Sequence, residues 1–361
     1  MLKNLSSGKY LVGCVFTATV LMAPGLTGSS ALAASASFPK GQNITLLISS
    51  RPGGGTNLVA RLFGDSLRKH LPGNPTMIYQ NMGGAGGITA LNHFYLTAKP
   101  DGRTFYIGAA NQLNPINLSR KQIKYKPKKF VLMGAFANPS SFLLLRRDAK
   151  KKLTDKSGPP VQVSAVDGLR AGSLMAVWGK DYLGWNTNLV TGYRGTKAMI
   201  LAVQRGETDM TGNNNLTLVE PMLKRGVVDF IMQTGMLNKG KVVPSIVYPK
   251  VPIFENVVRK KMSGISLKAL DVWSRQSAIG KWFSLPPGTP KAIAKVYREA
   301  FIKAANDPKF KGIVLKKISP DFVEMNHSEI RGLVDYMVNA AKDPEIVNYF
   351  KKLQKKRKRR R

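Results

Sequence analysis

The sequence predicts an α/β protein of two domains. Short apolar, β-rich runs alternate with longer segments whose apolar residues recur at helical spacing, which is the signature of strands and helices in turn. Glycine-rich turns stand at two of the joins. The length of 361 residues is more than a single core usually covers.

The order of elements follows from the N-terminus. Lys3 and Lys9 precede an apolar run from Leu11 to Leu26, and Ala31-Leu32-Ala33 follows it. Positive, then apolar, then small residues is the layout of a secretory signal peptide, placed here at residues 1–34. The run is too short and too broken for a transmembrane helix, and no later stretch is long enough to span a bilayer, so a soluble, exported chain is expected. Cys14 is the only cysteine and falls in this segment, which leaves no disulfide or thiol chemistry for the rest.

Next, Asn43 to Ser49 reads as a strand and Arg51-Pro52-Gly53-Gly54-Gly55-Thr56 as a turn. Leu58, Val59, Leu62, Phe63 and Leu67 mark a helix that Pro72-Gly73 stops. Thr76 to Gln80 is a second strand, Gly83-Gly84-Ala85-Gly86-Gly87 a second glycine turn before a helix to Ala98, and Thr104 to Ala110 a third strand. This βαβαβ order implies a parallel sheet, with both glycine turns at the carboxyl edge where α/β sheets hold ligands. A second unit runs from about Phe142 to Tyr248, with strands at Val161–Val166 and Val228–Met232 and helices at Leu174–Leu183 and Lys197–Arg205. Later, Thr289 is placed as N-cap with Pro290 at the first helical position, ahead of an apolar face of Ile293, Val296, Ala300, Phe301 and Ala304. Asn326 caps a helix through Ile330, Leu333, Val334, Met337 and Ala340.

The net charge is +36, and nine of the last eleven residues, Lys351 to Arg361, are basic. Without these nine and the two lysines of the signal segment, +25 remains on the body. Such a surface steers anions inward, or binds nucleic acid or anionic lipid without specificity, or is simply solvated. The tail lacks interleaved aromatics and a recognised nucleic-acid module, so no specific nucleic-acid partner is expected; contact with an anionic membrane surface is its better second use. Being low in complexity, 351–361 is expected to be disordered.

Catalysis finds little support. His70, His93 and His327 lack metal-ligand spacing, no Gly-x-Ser-x-Gly elbow or phosphate loop is present, and Gly84-Ala85-Gly86-Gly87-Ile88-Thr89 ends in threonine where a dinucleotide fingerprint needs glycine. No cofactor or metal is expected.

Several motifs, in order, carry a resemblance. They are Pro52-Gly53-Gly54-Gly55-Thr56-Asn57, Asn81-Met82-Gly83-Gly84-Ala85-Gly86-Gly87, Pro100-Asp101-Gly102, Asn114-Pro115, Tyr193-Arg194-Gly195, Gly206-Glu207-Thr208-Asp209, Pro252-Ile253-Phe254 and Leu285-Pro286-Pro287-Gly288-Thr289-Pro290. Together they resemble the substrate-binding receptors of tripartite tricarboxylate transporters over nearly the whole mature chain. The resemblance implies a periplasmic-binding-protein-like fold of type II, with two α/β domains around a ligand cleft. Domain 1 would comprise residues 35–140 and about 255–350, and domain 2 residues 141–254. It further implies a periplasmic receptor for a small organic anion, a di- or tricarboxylate, that closes like a hinge and docks on membrane permease subunits. A sensor or scavenger of the same fold is the alternative, and an enzyme ranks after it.

The loop chemistry agrees. A glycine turn leading into a helix offers backbone N–H groups at the positive end of the helix dipole, without a Cβ to obstruct the ligand. The candidate ligand residues are Gly53, Gly54, Gly55, Thr56 and Asn57 in the first loop, Gly84, Ala85, Gly86 and Gly87 in the second, and Asn111 after the third strand; Asn114 is a further candidate to reach the cleft. The opposite jaw offers Ser173, Arg194, Gly195, Thr196 and Asn214, with Arg194 as partner of a second carboxylate or a plain surface arginine. Two departures stand out. Asn57 replaces the family's usual aspartate, which favours a carboxylate over an amino acid as ligand, and Met82-Gly83 replaces its Arg-Pro.

Overall fold

The computed structural model describes residues 37–53, 55–166, 168–238 and 240–358. The signal segment and Gly54 lie outside the described residues. Among the described residues no helix is long and apolar enough to cross a membrane.

The strands are β1 (Ile44–Ile48), β2 (Met77–Asn81), β3 (Thr104–Ala109), β4 (Val131–Ala137), β5 (Phe142–Arg146), β6 (Val161–Ala165), β7 (Thr187–Thr191), β8 (Met210–Asn213), β9 (Val228–Gln233), β10 (Met236–Asn238), β11 (Lys241–Val243), β12 (Ile279–Leu285) and β13 (Glu324–Asn326). The helices are α1 (Gly55–Lys69), α2 (Ile88–Thr97), α3 (Pro115–Leu118), α4 (Ala171–Leu183), α5 (Thr196–Arg205), α6 (Leu216–Lys224), α7 (Phe254–Arg259), α8 (Gly264–Ala278), α9 (Lys291–Ala305), α10 (Pro308–Lys317), α11 (His327–Lys342) and α12 (Pro344–Lys358). They build a six-stranded sheet of order β13-β4-β12-β3-β1-β2, a five-stranded sheet of order β7-β6-β8-β5-β9 and the small hairpin β10-β11. The α/β class is thus as the sequence implies, with two sheets of mixed direction.

In the first sheet β1 pairs in parallel with both β2 and β3. Its two faces bury different partners because side chains alternate along a strand. Ile44, Leu46 and Ile48 face the core under α1, α9 and α10, whereas Leu47 faces the core under α2. Phe63 of α1 is the hub of the first core. Its ring lies 4.7 Å from Phe283, 4.9 Å from Phe136 and Phe301, and 5.4 Å from Phe310.

In the second sheet β6 pairs in parallel with β7 and β8, and β5 runs antiparallel to β8 and β9. Glycine brings α4 onto this sheet: a Cβ on Gly172 would stand 2.4 Å from the Cα of Gly212. The chain passes between the sheets at Asn138–Ser141 and returns after β9. These crossings are tied together, since the Ser141 amide donates to Thr234 Oγ1 and the Thr234 amide to the Ser141 carbonyl, both at 2.9 Å. Buried Gln233 uses its whole amide here, accepting from Ser140 Oγ and the Ser245 amide and donating to the Tyr248 and Val251 carbonyls. Helices α7, α8 and α12 follow the return and also touch α4 and the turn after it, through Trp178–Trp273 and Trp185–Phe254 ring contacts and a bond from Trp178 Nε1 to Tyr349 Oη.

Two local expectations change. Helix α9 begins at Lys291 with Pro290 as its cap, and the Thr289 hydroxyl instead donates to the Pro286 carbonyl, closing the turn before the helix. The basic tail does not fray at residue 351: α12 continues to Lys358, with Phe350 and Leu353 buried in the core. Asn326 caps α11 as foreseen, its Oδ1 accepting from the Ser328 and Glu329 amides while Glu329 returns a bond to the Asn326 amide.

Phe63→Ala removes a ring from a closed aromatic cluster, so it is expected to cost about 3–5 kcal/mol of stability, read by chemical denaturation.

Candidate functional site

The parallel triplet β2-β1-β3 sends three consecutive loops out at one edge. The first, from Ser50 to the start of α1, carries Gly53 at φ 82°, a conformation that favours glycine. Gly55 and Thr56 open α1, so their amides are among the first four of the helix, which have no intrahelical acceptor. Asn57 is buried, and its Oδ1 accepts from Asn81 Nδ2 at 3.0 Å. The same Nδ2 also donates to the Ser50 carbonyl at 2.9 Å, and the Met82 amide donates to the Ile48 carbonyl. A Cβ on Gly83 would stand 2.8 Å from Arg51 Cγ. The two glycine loops therefore lie side by side, coupled through Asn81.

The second loop is left-handed over four residues in a row: Gly84 at φ 122°, Ala85 at 44°, Gly86 at 67° and Gly87 at 90°. Its first three residues are exposed and Gly87 is buried. Strand β3 and the third loop hold this shape from behind. Asn111 Nδ2 donates to the Gly86 carbonyl at 2.6 Å, and Tyr106 Oη to the Gly87 carbonyl at 3.4 Å. A Cβ at Gly87 would lie 2.0 Å from Gln112 Nε2, so that position tolerates only glycine. Asn111 is thus brought to the second loop as a brace. Asn114, also a candidate from sequence, is instead structural: its Oδ1 caps α3 and its Nδ2 donates to Gln276 Oε1.

The residues expected from sequence on a second jaw, Ser173, Arg194, Gly195, Thr196 and Asn214, follow strands β6, β7 and β8 of the second sheet. Ser173 is buried in the first turn of α4. Arg194 is exposed in the turn before α5, Gly195 caps that helix at φ 152°, and Thr196 is its first residue. The Gly192 and Tyr193 amides donate to the Val166 and Ala165 carbonyls, which fixes this turn beside the end of β6. Asn214 Nδ2 donates to Asn138 Oδ1 at 3.2 Å, joining the loop after β8 to the crossing between the sheets. Sequence reasoning missed Asn81, Asn138 and Gln112 as supports; their signal, an amide beside a glycine loop or a sheet crossing, carries little weight without the fold.

The described residues include no group of three or more His, Cys, Asp or Glu side chains fit to hold a metal. A cavity of about 940 Å³ lies elsewhere, between the β10-β11 hairpin, α8 and α11. It contains none of the predicted residues, and its arginines are engaged: Arg259 with Glu255 and Asp271, and Arg275 stacked over Tyr336.

Comparison with solved structures finds the same fold in several periplasmic solute-binding proteins. The TctC solute-binding protein from Polaromonas aligns with a TM-score of 0.64 at 18% identity, covering 87% of this chain and all of that one. The periplasmic binding protein BugD aligns at 0.57 and 20% identity over 86% of this chain and 97% of its own. MatC from Rhodopseudomonas palustris, solved with bound malate, aligns at 0.57 and 19% identity over 85% and 99%. At these identities the likeness establishes the fold, the one that the sequence motifs imply. No protein-family model matches the chain, and no curated protein matches it in sequence.

Gly87→Ala is expected to destabilise the protein measurably, because the added methyl meets Gln112 and Ser49. Gly55→Ala, helical and facing open space, should be neutral or stabilising by up to about 1 kcal/mol. Thermal unfolding of the two variants side by side reads the difference.

Proposed function

We propose that this protein is a periplasmic solute-binding receptor that captures a small carboxylate and delivers it to a tripartite tricarboxylate-type transporter. The observation that carries the reading is the pair of glycine loops held side by side by Asn81, with the N-terminus of α1 opening between the sheet edge and solvent. Backbone donors and a helix dipole at such an edge suit an anion. The fold likeness supports it, since among the similar proteins one was solved with malate and another, from R. palustris, with adipate.

In this reading residues 35–140 with about 255–350, and residues 141–254, are two lobes that close on the ligand about the crossings at Asn138–Ser141 and Gln233–Thr234. The first and second loops, from Gly53 to Asn57 and from Gly84 to Gly87, grip one carboxylate. Ser173, Asn214 and the Arg194–Thr196 turn meet the distal end, Arg194 pairing with a second carboxylate. The chain is not an enzyme, and closed, loaded protein is what the permease subunits recognise.

Asn57 favours carboxylates, because an aspartate there would place a like charge beside the anion. Malate or adipate at about 100 times its dissociation constant should stabilise the protein by about 2.7 kcal/mol in thermal-shift assays, while amino acids leave the transition in place. Asn57→Asp should weaken dicarboxylate binding about tenfold, the equivalent of about 1.4 kcal/mol. Stabilisation by amino acids alone would overturn the reading.

A further inference from the structure

Lys281 is a lysine inside a sheet. It lies on β12, directly opposite Ala109 of β3 and Phe136 of β4. Its neighbour Trp282 packs into the core under α2, with Tyr106 and Phe130, whereas Phe283 packs under α1 against Phe63. By alternation Lys281 shares the α1 face with Phe283, two residues nearer the edge from which the glycine loops emerge. Among the described residues no hydrogen bond or ion pair engages its ammonium.

A second group on the same row is also unpaired. Ile48 faces the α1 core, and Ser49 faces the other side, against Gly87. Ser50 therefore returns to the α1 face where the first loop begins. Its Oγ is buried with no hydrogen-bond partner. Buried hydroxyls are seldom left so, and the half-buried Lys281 ammonium is likewise without a protein counter-ion. Ser50 and Lys281 flank the end of β3 from β1 and β12, about two strand spacings or ~10 Å apart. Both stand at the sheet edge from which the first loop leads into α1.

We propose that Lys281 and Ser50 form the floor of the carboxylate site under the first glycine loop, Lys281 as counter-ion and Ser50 Oγ as hydrogen-bond donor to the bound anion. This deepens the carboxylate-receptor reading and rests on it. Apart from Glu324, the acidic groups of the surrounding elements are engaged elsewhere. The first turn of α1 carries no titratable side chain, and further along Asp65 accepts from Tyr79 while Arg61 lies over the Tyr79 ring. On α9, Arg298 donates to the Leu132 carbonyl and Glu299 pairs with Lys295; on α8, Asp271 is held by Arg259, and Lys268 pairs with Glu345. On α11, Arg331 donates to the Phe130 carbonyl, Glu329 caps its own helix and Asp335 pairs with Lys128. Glu324 of β13 is on the row on the far side of Phe136, two strand spacings from Lys281 and away from the loop edge, and it makes no ion pair with it. On the first loop Arg51 is exposed and adds positive charge.

Burial with nothing to offset it brings the Lys281 ammonium down to about 8. A bound carboxylate favours the charged form and raises that value again, so binding takes up a proton above pH 8 and weakens as pH rises. In the empty protein the sign is opposite: the unfolded chain holds the proton more tightly between about 8 and the ordinary lysine value, so stability rises with pH in that window.

The test is calorimetric titration of malate and adipate into the full mature chain between pH 7 and 9.5, for wild type, Lys281→Met and Lys281→Arg. Wild-type affinity should fall by up to about tenfold per pH unit above 8. Lys281→Met should lose at least about tenfold at pH 7, bind with no pH slope, and leave the empty protein at least as stable as wild type, because it removes a partly desolvated charge that has no partner. Lys281→Arg should keep affinity at pH 7 and flatten the slope. A residue with a purely structural role would not weaken binding and remove its pH slope while leaving the melting temperature of the empty protein undiminished. If wild type binds and Lys281→Met binds equally well, or keeps the pH slope, the assignment of Lys281 is overturned. If wild type binds neither acid, the carboxylate-receptor reading itself falls, and the proposal with it.

Discussion

Parallel pairing of β1 with both β2 and β3 is the constraint on which the candidate site depends. Parallel neighbours cannot be joined by a tight hairpin, so each connection must cross the sheet, here through α1 and α2, and each strand starts from the same edge. Three successive loops therefore leave the sheet together. The N-termini of α1 and α2 face that edge as a geometric consequence of the two crossovers. Local chemistry then has only to shape the loops: four left-handed residues in the second, an asparagine between the first and second, and another bracing the second from the third.

This division explains what the sequence made legible. Strand and helix periods are local, and the βαβαβ reading of the first hundred residues holds because each apolar run meets a core on the face its spacing requires. The glycine loops were visible too, since glycine in number before a helix has few other uses. The supports were not. Asn81 reads as one more polar residue until β2 is placed beside β1, and Asn114 looks equally able to reach a ligand until its oxygen is seen capping α3. Thr289 misled by one position because a hydroxyl before Pro290 satisfies a turn carbonyl as readily as a helix end. The tail misled because its charge hid Leu353, whose burial follows from the α12 register and from contacts with segments distant in sequence.

The excess of positive charge has a structural side. Many of the few carboxylates are spent on the backbone: Asp307 caps α10 by accepting from the Phe310 amide, Asp209 accepts from the Gln162 amide, and buried Asp321 accepts from the Ile246 amide. The Asp307 carboxyl is held below its ordinary range by that amide. Carboxylates committed in this way are fixed to turns and helix starts, so they do not gather at the loop edge. The basic balance of the sequence thereby becomes local: the edge is left with Arg51, Lys281 and backbone donors, and an anion arriving there meets no fixed negative charge on those loops.

Asn57 fits the same electrostatic pattern. Its Oδ1 accepts from Asn81, and a carboxylate at that position would accept the same bond, so the coupling of the two loops does not distinguish the two residues. Charge does. An aspartate buried in the first turn of α1 would itself occupy the positive end of the helix and satisfy it from within. The neutral amide keeps the mechanical link and leaves the helix end to be satisfied from outside. An unpaired lysine on the same face of the sheet and an uncharged side chain in the first helix turn act in one direction: the lysine adds positive potential at the loop edge, and the amide, unlike an aspartate, takes none away.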